Sequence, residues 1–181
     1  MIPYSTQDIS ESDITAVTKV LRSGWLTQGP AVERFERAIA RKVGAKFAIA
    51  FNSGTAALHT AYFAAGVRRG NEVIMPSLTF AATANVALYL GAKPVFIDSD
   101  METGNMSVTA ARTKITRKTK AIVLVDYGGR PADLNAFRAL AKKRKLVFIE
   151  DAAQSFGAQY RGKPVGTQAD MTMFSFHPAK S

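Results

Sequence analysis

Apolar residues recur along this chain at two periods, and the two alternate. Between Ser10 and Arg22, Ile14, Val17, Val20 and Leu21 fall on one helical face. Ser10 with Asp13 has the form of a capping box, and Gly24 closes the segment. Pro30 is placed to open a second helix with Val32, Phe35 and Ile39 as its buried stripe and Gly44 as its end. Phe47 to Phe51 is short and apolar, which predicts a buried strand. It runs through Asn52-Ser53-Gly54-Thr55 into a helix that reaches Gly66. That helix is apolar nearly all round, so it is expected to be buried.

The alternation then repeats. Strands are predicted at 72–76, 94–98, 121–126, 146–149 and 170–176. Helices are predicted at 81–90, 107–115 and 133–143, the last with Leu134, Phe137 and Leu140 inward. Gln159 to Gly166 reads as a hairpin or loop. Continuously apolar strands alternating with helices argue for an α/β fold, a mostly parallel sheet with helices on both faces. There is no low-complexity linker and no internal repeat, so residues 1–181 read as a single domain.

Composition narrows the function. The chain is 47% hydrophobic and 21% charged, as in a soluble globular protein. It has no cysteine, which excludes disulfides and thiolate metal sites, and only two histidines, His59 and His177, which argues against a metal centre. No segment is long and apolar enough to span a membrane. Met1-Ile2-Pro3-Tyr4 lacks the basic and apolar regions of a signal peptide, so the expected location is cytoplasmic. The net charge of +10 raises the question of nucleic acid. Its densest run, Lys142-Lys143-Arg144-Lys145, ends a predicted helix, where basic residues complement the dipole and face water. No aromatic residues interleave with that run, so no nucleic-acid partner is expected.

Two stretches carry the candidate chemistry. Glu150-Asp151-Ala152-Ala153-Gln154 follows the apolar run Val147-Phe148-Ile149, and Ser175 and Lys180 follow Met171 to Phe176. In an open parallel sheet, ligands bind beyond the carboxyl ends of the strands. An acid, a hydroxyl and a lysine at neighbouring strand ends suit pyridoxal phosphate. The lysine would form a Schiff base, the acid would pair with the ring nitrogen, and the hydroxyl would help to hold phosphate. The turn after Phe51, leading into a helix N-terminus, adds an anion site of exposed backbone N–H groups. Taken singly, each residue has a bland reading. Asp151 with Gln154 could be a capping box, Lys180 a surface lysine, Thr55 an N-cap and Phe80 core. Trp25 reads as a loop anchor or interface residue, and His177 as structural.

Asn52-Ser53-Gly54-Thr55-Ala56-Ala57-Leu58, Pro76-Ser77-Leu78-Thr79-Phe80, Glu150 to Gln154 and Ser175-Phe176-His177-Pro178-Ala179-Lys180 occur in this order. Together they resemble the DegT/DnrJ/EryC1/StrS family of nucleotide-sugar aminotransferases, which have the fold-type-I pyridoxal phosphate architecture. The resemblance implies that Lys180 is the Schiff-base lysine and the proton-transferring base. It implies that Asp151 keeps the pyridine nitrogen protonated, that Gln154 reaches the ring hydroxyl and that Phe80 stacks on the ring. Thr55, Ala56 and Ser175 would bind the phosphate. Tyr4, Gly24, Trp25, Leu26, Thr27 and Ser53 would face the sugar nucleotide. The look is nearest to the pseudaminic-acid pathway transaminases, which use a UDP-linked 4-keto hexose and glutamate and work as homodimers.

Members of that family run to about twice this length. After the lysine they continue into a glycine-rich turn, an antiparallel strand and a smaller second domain. The chain is therefore expected to be the N-terminal part of the cofactor-binding large domain. The strand it lacks would lie between the first and last strands present here, leaving unpaired edges. Two alternatives remain open at this level. One is a non-catalytic fragment of such an enzyme. The other is a pyridoxal-phosphate-dependent sugar dehydratase of the same family, which replaces the lysine by histidine and so fits Lys180 less well.

Overall fold

The computed structural model describes residues 7–178 and Lys180, so Tyr4 lies outside the described residues. Three helices come first: α1 (Glu11–Leu21), α2 (Pro30–Val43) and α3 (Gly54–Ala64). Strands and helices then alternate through β1 (Glu72–Pro76), α4 (Ala81–Tyr89), β2 (Lys93–Ile97), α5 (Val108–Lys114), β3 (Thr119–Val125), α6 (Leu134–Arg144) and β4 (Val147–Asp151). A short antiparallel hairpin, β5 (Gln159–Tyr160) and β6 (Lys163–Pro164), precedes β7 (Met171–Met173). The five-stranded sheet runs β2-β1-β3-β4-β7 with every pairing parallel. The α/β class and the two-faced cover therefore hold.

Local chemistry sets the helix ends. Ser10 and Asp13 form the reciprocal capping box, with the Ser10 N–H donating to Asp13 Oδ2 at 2.8 Å. Pro30 opens α2, and Gly44, at φ 77°, ends it in the left-handed conformation that costs glycine least. The alternation of side chains across β-strands then divides the core. Val73, Met75, Val123, Ile149 and Met173 pack with Leu58 and Tyr62 of α3 and Val86 and Ala87 of α4. Ile74, Ile122, Leu124 and Phe148 pack on the other face with Ala111 of α5 and Leu134, Phe137 and Leu140 of α6. Each fully buried aliphatic or Phe side chain contributes about 1.5–3 kcal/mol of transfer energy.

Three expectations need correction. Residues 47–51 form no strand, and Phe47 and Ile49 are 74% and 72% exposed. No described strand pairs with this segment. Its Ala50 N–H is satisfied instead by Glu36 Oε1 at 2.8 Å. The α3 helix is buried on one face only, because no described residue covers the side that carries Phe63, which is 71% exposed. The expected α2 stripe is only partly covered: Phe35 is 42% exposed, and Val43 is the buried residue of that helix. The neighbouring α1 has no buried residue, and Ile14, Val17 and Leu21 stay exposed. No helix among the described residues is long and apolar enough to cross a membrane.

Candidate active site

The site is built where β4 and β7 end, on the face covered by α3 and α4. Asp151 is the last residue of β4, opposite Met173 of β7. It is buried, and its oxygens accept from Thr83 Oγ1 at 2.9 Å and from the Ala153 N–H at 3.2 Å. Burial pushes its carboxyl up to about 6, although those two donors and the Lys180 charge pull the other way. Thr83 is itself fixed, since its hydroxyl meets Thr79 Oγ1 at 2.8 Å and its carbonyl accepts from Tyr62 Oη, also at 2.8 Å. The α4 helix thus holds the acid in one orientation. Nothing in the 150s stretch signals Thr83, and sequence reasoning missed it. The small polar residue in the first turn of α4 was the available clue.

The bland reading of Asp151 as a helix cap fails. Residues 152–157 form turns, with Ser155 N bonded to the Ala152 carbonyl, and no helix follows. Gln154 points its Oε1 at the Gly128 N–H, 3.0 Å away. That anchor uses the oxygen and leaves the side-chain amine as a donor, which suits the ring-hydroxyl role the resemblance implies.

Phe80 occupies the N-cap position of α4 and is 70% exposed. Lys180 Nζ lies 5.6 Å from its ring centroid. An exposed aromatic face, a lysine amine and a buried carboxylate are therefore neighbours. The segment bearing Lys180 is held by an aromatic chain that sequence reasoning did not single out. Phe176 meets Phe35 at 5.1 Å and Phe156 at 5.0 Å, and Phe156 meets Phe174 at 5.3 Å. These edge-to-face contacts fix alternate residues of 174–176.

Ser175 lies beside the N-terminus of α3, since a Cβ added to Gly54 would sit 3.7 Å from the Ser175 Cβ. Ser53 caps that helix, its Oγ accepting the Ala56 N–H at 3.2 Å. Ala56 is thus already engaged, while the Gly54 and Thr55 amides and the Thr55 hydroxyl remain for an anion. Ser53 serves the helix here, whatever it does toward a substrate. Gly24, Trp25, Leu26 and Thr27 form a loop in which the hydrogen bonds of Ser23 and Trp25 stay local. The Trp25 side chain packs on Gly29, and Trp25 and Leu26 are exposed. The structure does not bring this loop into hydrogen-bond contact with Asp151 or Lys180.

The residues present fit the demands of pyridoxal phosphate. A buried carboxylate has no basic partner within ion-pair distance among the described residues, where Arg37–Glu33 is the ion pair formed. A pyridinium N–H would supply that partner. An aromatic face, an amine and a helix N-terminus stand around the same strand ends.

A parallel α/β sheet with this arrangement at its carboxyl edge defines the large-domain architecture of fold-type-I aminotransferases. The profile of the DegT/DnrJ/EryC1/StrS aminotransferase family matches residues 7–181, and the chain belongs to that family. It is 43% identical over 180 residues to the spore coat polysaccharide biosynthesis protein SpsC of Bacillus subtilis, covering 99% of this chain and 46% of that one. Among solved structures it resembles Spr1654 of Streptococcus pneumoniae, assigned as a sugar aminotransferase and solved in apo, PLP and PMP forms. The TM-score to the PLP form is 0.95 at 36% identity, over 99% of this chain and 50% of that chain. It also resembles Helicobacter pylori PseC, an aminotransferase involved in the biosynthesis of pseudoaminic acid. There the TM-score is 0.92 at 39% identity, over 97% and 48% of the two chains. The chain spans about half the length of the curated relatives it matches.

Proposed function

We propose that the protein bearing this chain is a pyridoxal-phosphate-dependent aminotransferase. It moves an amino group from glutamate to a keto-sugar carried on a nucleotide, of the UDP-4-keto-6-deoxy-hexose type. The observation that carries the reading is the convergence of Asp151, Phe80 and Lys180 beside the N-terminus of α3. Bound there, the cofactor supplies an electron sink for the carbon that gains or loses the amine.

The chain's own residues have separable tasks. Asp151, oriented by Thr83 and the Ala153 amide, would hold a proton on the ring nitrogen by presenting an anion to it. Phe80 would offer its face to the ring, and the Gln154 side-chain amide N–H would donate to the ring oxygen. Thr55 and Ser175, with the free amides that open α3, receive the phosphate. Lys180 Nζ is the base that moves the proton at the reacting carbon. Gly24, Trp25, Leu26 and Thr27 are assigned to the sugar nucleotide on the strength of the resemblance alone.

Two proposals concern what surrounds this site. The exposed apolar segment 47–51 and the open edge of β7 support completion of the sheet by a strand outside this sequence. The uncovered apolar positions of α1 and α3 support a homodimer. The test of the main reading is absorbance of the purified protein with pyridoxal phosphate, then borohydride reduction and mass mapping. A near-visible band and an adduct on Lys180 are expected. A protein that takes up no cofactor, or carries the adduct elsewhere, overturns it.

A further inference from the structure

A second acid stands next to Asp151 in β4, on the opposite face of the sheet. Glu150 is 0% exposed, as is Asp126, the residue that follows β3. Asp126 is well supplied with donors. Its Oδ2 accepts from Ser155 Oγ at 2.6 Å and its Oδ1 from the Ala132 N–H at 3.1 Å. Glu150 Oε2 accepts from Thr172 Oγ1 of β7 at 2.9 Å, and its Oε1 is buried with no donor. No lysine, arginine or histidine among the described residues pairs with either acid. The Asp126 charge also reaches Asp151 across the sheet and pushes it up.

Asp126 lies two residues beyond Leu124, the register partner of Glu150 on β3, so the two acids rise on the same face of neighbouring strands. Two buried carboxylates so placed cannot both ionise without a cation. The donor inventory says which keeps its charge. Asp126, with two donors, is the anion; Glu150, with an orphaned oxygen, is the neutral acid. A proton on Oε1 removes the orphan and lets Glu150 donate to Asp126. We infer that Glu150 is a positioning residue that shares one proton with Asp126 and so fixes the loop that anchors Gln154.

The mechanical path is short. Asp126 ties residues 126–132 together through its carboxylate bond to Ala132 N and through its carbonyl, which accepts from Gly129 N at 3.1 Å. It ties that loop to the turn after β4 through Ser155. The same loop supplies Gly128 N to Gln154, and Gly129 lies so close that an added Cβ would be 2.7 Å from the Gln154 carbonyl oxygen. Loss of the shared proton sets two buried anions against each other at the staple between these loops.

The sign follows. Burial and the Asp126 charge push Glu150 up to about 8, from an ordinary 4.5. The folded protein therefore holds a proton that the unfolded chain has released. This contribution to stability is complete below about 4.5 and is lost as pH rises through about 8. Asp126 is also pushed up by burial, so its contribution has the same sign.

The role in Gln154 rests on the proposed cofactor site; the shared proton does not. The test uses cofactor-free full-length protein. Infrared spectra of the wild type near neutral pH are expected to show a buried protonated-acid carbonyl band. The band should persist in Asp151→Asn, vanish in Glu150→Gln and fade as pH passes about 8. Amide exchange at Gly128 should be unchanged in Glu150→Gln, whose amide can still donate to Asp126, and about tenfold faster in Glu150→Ala. Absence of the band, its survival in Glu150→Gln, or faster Gly128 exchange in Glu150→Gln overturns the proposal. If the band and exchange behave as stated while pyridoxal phosphate fails to bind, the acid pair stands and the cofactor reading falls.

Discussion

Asp151 and Glu150 are adjacent in one strand, both buried, and they face opposite sides of the sheet. Burial acts on both, yet the outcomes differ. Asp151 receives two hydrogen bonds and the field of Lys180, and its carboxyl rises only to about 6. Glu150 receives one and faces Asp126, and it rises to about 8. Near neutral pH the first is available as an anion, and the second is a proton donor. Burial alone makes no catalytic carboxylate; the donors and charges arranged around it decide which acid stays charged.

Experiments on the α3/α4 face would sharpen or break this contrast, starting with the largest effect. Lys180→Ala is expected to lower transamination by at least 10²–10⁴-fold, on the order expected for a lost acid–base group, and to abolish the borohydride adduct. A variant that still turned over at wild-type rate would move the proton-transfer role elsewhere. Asp151→Asn comes next. It should cut activity strongly while leaving the fold intact, and it should alter the pH dependence of the cofactor-free protein. Because folding raises Asp151 from 3.8 to about 6, its contribution is complete below 3.8 and falls away through about 6. Thermal unfolding across that window should lose this slope in Asp151→Asn and keep it in Glu150→Gln.

Thr83→Val tests the donor side of the comparison. It removes one hydrogen bond from a buried acid, and a loss of about 1–3 kcal/mol in denaturant unfolding is expected. The Asp151 carboxyl should titrate higher, measured by carbon NMR. If its titration does not move, Thr83 does not set this charge. The smallest effect is expected from Ser53→Ala, which deletes the α3 cap at a cost of about 1 kcal/mol. It also releases the Ala56 N–H, so phosphate affinity should hold or rise while stability falls. A large loss of cofactor affinity would instead give Ser53 a direct role in the site.

Periodicity and punctuation in the sequence were enough for the helix and strand order from β1 to β7, because those segments contact neighbours that this chain supplies. Pro30, Gly44 and the Ser10–Asp13 box were equally legible, since caps are local chemistry. The motif residues at strand ends read as candidate chemistry, and the fold brings Asp151, Phe80 and Lys180 together; the roles given to them rest on the resemblance. Only the tertiary structure showed that residues 47–51 have no strand partner among the described residues and that α3 is covered on one face. An apolar run states a need for burial, not whether anything meets it. Only the fold brought Thr83 to Asp151, 68 positions away in the chain, and Asp126 to Ser155, 29 away. The composition of β4 specifies two acids in a row; which of them keeps its charge depends on donors delivered from α4 and β7 and on the Asp126 carboxylate delivered by the loop after β3, and no local pattern encodes that delivery.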